Sequence, residues 1–114
     1  MVQGKDLAIL WDTGQGKQDL AAYLAERVRT PYLVCNSHGH ADHIGGNFRF
    51  SGVYAHPADW PLLGAHARMT GRDWHAAPLE AGMSADLGGR RVKVVSLAGH
   101  TRGSVGLLLE DEGL

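Results

Sequence analysis

His38-Gly39-His40-Ala41-Asp42-His43 places four residues able to bind a metal within six positions of a 114-residue chain. At this chain's own His and Asp frequencies, that spacing arises by chance in roughly two of a thousand such chains, so the stretch reads as a metal site. In extended backbone, residues two apart point to the same side. His38 and His40 can therefore present imidazoles to one ion, with slim Gly39 and Ala41 between them. Where the chain turns into Asp42-His43, those side chains face another direction and a second ion comes within reach. Imidazole nitrogens with a carboxylate suit zinc, as one ion or two, and iron or manganese accept the same ligands.

Just upstream, Tyr32 to Cys35 (YLVC) reads as a short buried strand feeding into this stretch. Further back, Asp6 to Asp12 (DLAILWD) is a continuous apolar run closed by Thr13-Gly14, which predicts a central strand buried on both faces. Between the two, Gln18 to Arg29 carries Leu20, Tyr23, Leu24 and Val28 at helical spacing, and Thr30-Pro31 ends that helix. The His-rich stretch thus follows the C-terminal end of a strand. In open α/β sheets, loops converge there on a ligand crevice.

Downstream, Ile44 to Asn47 reads as a turn or a single helical turn, with Phe48 and Phe50 packing inward. Val53-Tyr54-Ala55 predicts a strand, and His56-Pro57-Ala58-Asp59 starts a helix towards Arg68, with Pro57 at its first position. Met69 to Ala85 has little periodicity and reads as a loop or broken helix suited to variable substrate contacts. Leu87 to Arg90 predicts a tight turn before a strand from Val92 to Leu97. Gly99-His100-Thr101 then sets another metal-competent residue at a strand end. Ser104 to Leu109 is the last predicted strand, and Glu110 to Gly113 a hairpin turn. No repeat or linker divides residues 1–114, which read as one domain.

Composition narrows the function. Apolar residues make up 44% of the chain, enough for a core, and the net charge of -1 is dispersed, which argues against nucleic acid or an anionic membrane as partner. No apolar run reaches membrane-spanning length. The single cysteine, Cys35, excludes an intrachain disulfide framework and points to a reducing, cytoplasmic setting, with the thiol as a buried strand residue. Among the remaining histidines, His56 reads as a helix cap, and His66 and His75 as ordinary surface residues, His75 lying beside Trp74. Gly45 and Gly46 predict close backbone approach beneath the His-rich loop.

Taken together, H-x-H-x-D-H after a strand, an upstream strand ending Asp12-Thr13-Gly14, and downstream Gly99-His100-Thr101-x-Gly103-Ser104 resemble the metallo-β-lactamase-fold hydrolases. The resemblance runs from about Leu7 to Leu114, with the hydroxyacylglutathione hydrolase-like branch as its nearest broad type. It implies an α/β fold, the αββα sandwich, incomplete at both ends in this chain. By the same resemblance His38, His40 and His100 belong on a first ion, Asp42 and His43 on a second, and Asp12 is the buried carboxylate that orients the ligand loop. Family members run to about 200 residues or more, beyond one small core. They add a bridging Asp and a further His, both expected past Leu114.

The resemblance also implies a mechanism. A zinc held by three neutral histidines leaves a position for water and lowers its pKa to about 7, so a metal-bound hydroxide attacks an ester, thioester, lactone or amide carbonyl. Asp42 would orient that hydroxide or relay a proton, which makes it the catalytic candidate. Flavodiiron proteins of this fold carry Glu where this chain has His40, so hydrolysis of a small-molecule acyl substrate is favoured over redox chemistry. The alternative is a non-catalytic metal-binding fragment lacking the bridging Asp and last His. The nuclease branch conflicts with the weak positive charge. Half of a two-sheet sandwich would leave an apolar face uncovered, favouring homo-oligomers.

Overall fold

The computed structural model describes residues 1–72, 74–97, 99 and 101–109. Ala8–Trp11 (β2) lies inside the first sheet as its composition requires, with Ala8, Ile9 and Leu10 all buried. Val2–Gln3 (β1) runs antiparallel to it, and Tyr32–Cys35 (β3) runs parallel on its other side, in register from Ala8 opposite Tyr32 to Trp11 opposite Cys35. Gly52–Ala55 (β4) and His75–Pro78 (β5) continue the sheet in parallel. A second, antiparallel sheet is built from Ser84–Asp86 (β6), Arg91–Ser96 (β7) and Val105–Leu109 (β8).

Alternate residues of the central strands serve two cores. Ile9 and Cys35 face Val92, Val94 and Val105 of the second sheet, with Leu79 and Leu87 closing that layer. Leu10, Val34, Val53 and Ala55 point the other way and bury Leu24, Ile44 and Leu63 from the helices. The described residues therefore stack as helices, sheet and sheet, three of the four layers of the expected sandwich. None of their helices is long and apolar enough to cross a membrane.

Helix boundaries follow local chemistry. Asp19 accepts a hydrogen bond from the Ala22 amide at 3.1 Å, so the first helix (α1) spans Leu20–Arg27. A single turn, Ala41–Ile44 (α2), follows His40. The third helix (α3), Trp60–Thr70, is entered through a 3-10 turn at Pro57–Asp59, where the His56 ring caps the Ala58 amide as expected. It stops at Gly71, whose φ of 69° suits a residue without Cβ and lets its amide reach the Ala67 carbonyl.

Two local expectations change. The 69–85 segment is neither loop nor broken helix: α3 runs to Thr70, and β5 and β6 follow. His75-Ala76-Ala77-Pro78 offers no alternation to read, because β5 is an edge strand whose pairing with β4 comes from the fold rather than from its own side chains. Phe48 is only half-buried, with the guanidinium groups of Arg72 and Arg49 at 4.1 and 4.7 Å from its ring, whereas Phe50 does pack on the helix-side core. The predicted turn at 110–113 lies outside the described residues.

Candidate metal centre

The end of β3 opens directly into the His-rich loop, and β2 ends beside it. From there the backbone stitches the two together: the Thr13 amide donates to the His43 carbonyl at 2.9 Å, and the Gly45 amide to the Gly14 carbonyl at 2.8 Å. Side chains at Gly45 or Gly46 would run into the backbone of Gln15 or Thr13, so the pair of glycines permits the close approach read from the sequence. His40 is extended and begins α2, whose single turn carries His43 back over the loop.

Three imidazoles result in one cluster. The rings of His38 and His40 stand 4.8 Å apart and perpendicular, and those of His38 and His43 only 4.1 Å apart. His43 thus sits nearer His38 than alternation along an extended chain suggests, because α2 has already begun. His100 lies outside the described residues.

Asp12 occupies the base of this cluster. It is a non-glycine residue with a φ of 66°, a conformation that Asp tolerates better than most residues. Its carboxylate accepts from the Ser37 amide at 2.6 Å, the Ser37 hydroxyl at 2.6 Å and His43 Nδ1 at 2.9 Å. These bonds fix protons on the ligand candidates. A carboxylate can only accept, so the His43 proton sits on Nδ1 and Nε2 carries the lone pair. Ser37 spends its one hydrogen on Asp12, so its oxygen, 2.9 Å from His38 Nδ1, accepts a hydrogen bond from that ring, whose proton sits on Nδ1 as well.

With that tautomer, His43 Nε2 and Asp42 Oδ2 face each other at 3.5 Å as two electron-pair donors. Two donors bound at about 2.0–2.2 Å around a tetrahedral ion are separated by about 3.3–3.6 Å. A cation between them satisfies both. Among the described residues, no three His, Cys, Asp or Glu donors already close on a single point. The fit therefore rests on donor chemistry and on the His43–Asp42 spacing. Asp42 projects outward, its side chain 61% exposed.

Several residues that matter here gave no sequence signal. Ser37 is one. Asn36 and Asn47 are two more, and with Thr13, also buried, they form a polar floor under the loop. Asp59, 2% exposed, binds the Gly39 amide from one side and Thr101 and Gly103 from the other. Partners 11 to 44 residues apart leave no local pattern. Cys35 is buried as expected.

Comparison with known proteins agrees with this geometry. A family model described as the metallo-beta-lactamase superfamily matches residues 1–114. The chain is 31% identical over 90 residues to a hydroxyacylglutathione hydrolase of Synechococcus sp. (strain JA-3-3Ab), covering 79% of this chain and 34% of that protein. It is 26% identical over 142 residues to the acyl-coenzyme A thioesterase MBLAC2 of Homo sapiens, covering 92% of this chain and 51% of the relative. It thus spans about a third to a half of the length of these curated relatives. Among solved structures, TTHA1623 in a di-iron-bound form superposes with a TM-score of 0.68 at 31% identity, covering 91% of this chain and 57% of that one. A metallo-beta-lactamase from Pontibacter korlensis shares the fold with a TM-score of 0.74 at 22% identity, over 97% of this chain and 54% of its own. The chain belongs to the metallo-beta-lactamase superfamily.

Proposed function

We propose that this chain carries the metal-binding half of a hydrolase that cleaves a small-molecule acyl bond, with a thioester as the first choice. The observation that carries the reading is the imidazole cluster of His38, His40 and His43 at the end of β3, with His43 held by Asp12. The named activities of the hydroxyacylglutathione hydrolase and acyl-coenzyme A thioesterase relatives support the thioester. His38, His40 and His100 would hold one ion, and Asp42 and His43 a second. A divalent metal in such a site supplies Lewis acidity and makes a water nucleophilic at neutral pH.

The chain's own residues prepare that chemistry. Asp12, directly and through Ser37, keeps protons on the Nδ1 atoms of His43 and His38, so that each ring carries its lone pair on Nε2. Asp42, exposed beside His43, would accept a proton from the attacking water and return it to the leaving group. Zinc is the metal we favour for this nitrogen-rich set, with the di-iron form of TTHA1623 making iron the competing choice. The buried lone thiol of Cys35 suits a reducing compartment, and we place the protein in the cytoplasm.

The test is turnover by the full-length protein loaded with zinc or iron, using S-acylglutathiones, acyl-coenzyme A esters, lactones and amides. Thioesters should be cleaved, and His38→Ala should remove both activity and bound metal. A fully metal-loaded protein inert across the panel overturns the reading.

A further inference from the structure

Asp59 stands at the start of α3, where an aspartate ordinarily caps the helix, yet its side chain makes no cap hydrogen bond. The carboxylate is turned into the protein instead. Its Oδ2 accepts from the Gly39 amide at 2.8 Å and from the Thr101 hydroxyl at 2.6 Å, and its Oδ1 from the Gly103 amide at 2.9 Å. Gly39 is the residue between His38 and His40, and Thr101 directly follows His100.

Neighbouring residues are shaped around this arrangement. A Cβ on Gly103 would stand 2.8 Å from the Asp59 carboxylate, and one on Gly39 2.9 Å from Leu62 Cβ, so neither loop could approach α3 with a larger residue. Thr101 gives its one hydrogen to Asp59 and accepts from the Ser104 hydroxyl at 2.7 Å, while Ser104 accepts from the Thr101 amide at 3.0 Å. The donors and acceptors are consistent around the whole loop.

We infer that Asp59 is a positioning residue that clamps the loop carrying His38 and His40 to the segment 101–103, which follows the proposed ligand His100 in the sequence, and so sets the spacing between two parts of one metal site. The inference rests on the proposed metal centre. A carboxylate is a rigid two-point acceptor, and hydrogen bonds hold each loop to within a few tenths of an ångström. Metal sites require donors placed to within about 0.2 Å. Loss of the clamp therefore reads out in metal binding even where the fold survives.

The experiment compares full-length wild type, Asp59→Asn and Thr101→Val by titration with cobalt(II), following the visible absorption bands, chelator competition and the far-UV circular dichroism of the metal-free protein. Asp59→Asn is expected to keep the dichroism of the wild type, bind cobalt at least tenfold more weakly, and give bands of altered intensity. Thr101→Val, which removes one of the three donors, should fall between. Wild-type cobalt affinity and bands in both variants would overturn the clamp and leave the metal centre standing, even if both melted at lower temperature. If Asp59→Asn does not fold, Thr101→Val decides between the same two results. Failure of the wild type to take up cobalt would remove the metal centre and the clamp with it.

Discussion

Asn36 and Asn47 exchange two amide hydrogen bonds, at 3.1 and 2.8 Å, directly beneath the His-rich loop. Both are essentially inaccessible to solvent, and Asn47 Oδ1 also accepts from the Thr13 hydroxyl at 2.8 Å. Thr13 in turn receives the Gly46 amide. One buried carbonyl oxygen thus ties the end of β2, the end of β3 and the segment after α2 to one another. Removing it strands the Asn36 amide where water cannot reach, and leaves the Thr13 hydroxyl only its longer bond to the His43 carbonyl.

Asn47→Ala should therefore destabilise the metal-free protein by about 1–3 kcal/mol, since the Asn36 amide loses its acceptor and the Thr13 hydroxyl is left with only the longer bond to the His43 carbonyl at 3.3 Å. Asn36→Ala should cost less, because Thr13 keeps Asn47. The double variant should fall short of the sum of the single losses by about 1 kcal/mol, the signature of a shared network. Urea denaturation of the four proteins measures this, and strict additivity would contradict it.

Asp12 controls a proton as well as a position. In Asp12→Asn only one of the two side-chain oxygens survives, and the new NH2 group must face a donor. If it replaces Oδ2, His43 Nδ1 has to become an acceptor and the ring proton moves to Nε2. Long-range 1H–15N spectra of the histidines should show that change of tautomer in the metal-free variant, and metal affinity should drop about 10–100-fold. Asn tolerates the left-handed backbone at this position, so the fold should persist. An unchanged His43 tautomer together with unchanged metal affinity would refute the assignment.

How much of this was legible in the sequence follows from how local each feature is. YLVC at 32–35 and the His56 cap are written in neighbouring residues and form where the pattern puts them, while the helix read over Gln18 to Arg29 forms as Leu20–Arg27, trimmed by the Asp19 cap at one end and the extended Val28 at the other. That His38, His40, Asp42 and His43 share one loop was legible because six consecutive positions carry them, whereas the approach of His43 to His38 was not, since it depends on α2 beginning at Ala41. Asp59 was not. Before a helix an aspartate reads as a cap, and only the folded chain shows its carboxylate reaching residues 39, 101 and 103. β5 was hidden for a related reason, since a four-residue edge strand borrows its conformation from the neighbour it pairs with.

Glycine at position 46 is required by space rather than by backbone angle. Its φ is an ordinary -93°, but a Cβ there would stand 2.5 Å from the Thr13 carbonyl oxygen, which belongs to fixed backbone. Gly46→Ala should cost roughly 1–3 kcal/mol and loosen the loop that carries His43. Gly64 provides the contrast. It lies inside α3 with nothing nearer than the Arg68 side chain at 3.5 Å, so Gly64→Ala should stabilise the protein by about 0.5–1 kcal/mol. Thermal melts of the two variants should shift in opposite directions.

Cys35 links the core to alkaline stability. Burial between the sheets, helped by the negative charge of Asp12, pushes its thiol up from 9.0 to about 12. Between these values the unfolded chain has lost the proton and the folded chain still holds it, so stability falls as pH rises through that window. The slope from this group approaches about 1.4 kcal/mol per pH unit. Other groups titrate in the same range, so the informative quantity is the difference from Cys35→Ala. That variant lacks the thiol and is less stable at neutral pH because of the space it leaves. Its deficit relative to the wild type should shrink steadily from pH 9 to pH 10.5 in urea denaturation, and iodoacetamide at pH 8 should leave the folded wild type unmodified. A constant deficit across that range, or rapid alkylation of the folded protein, would show that the thiol ionises in its buried site.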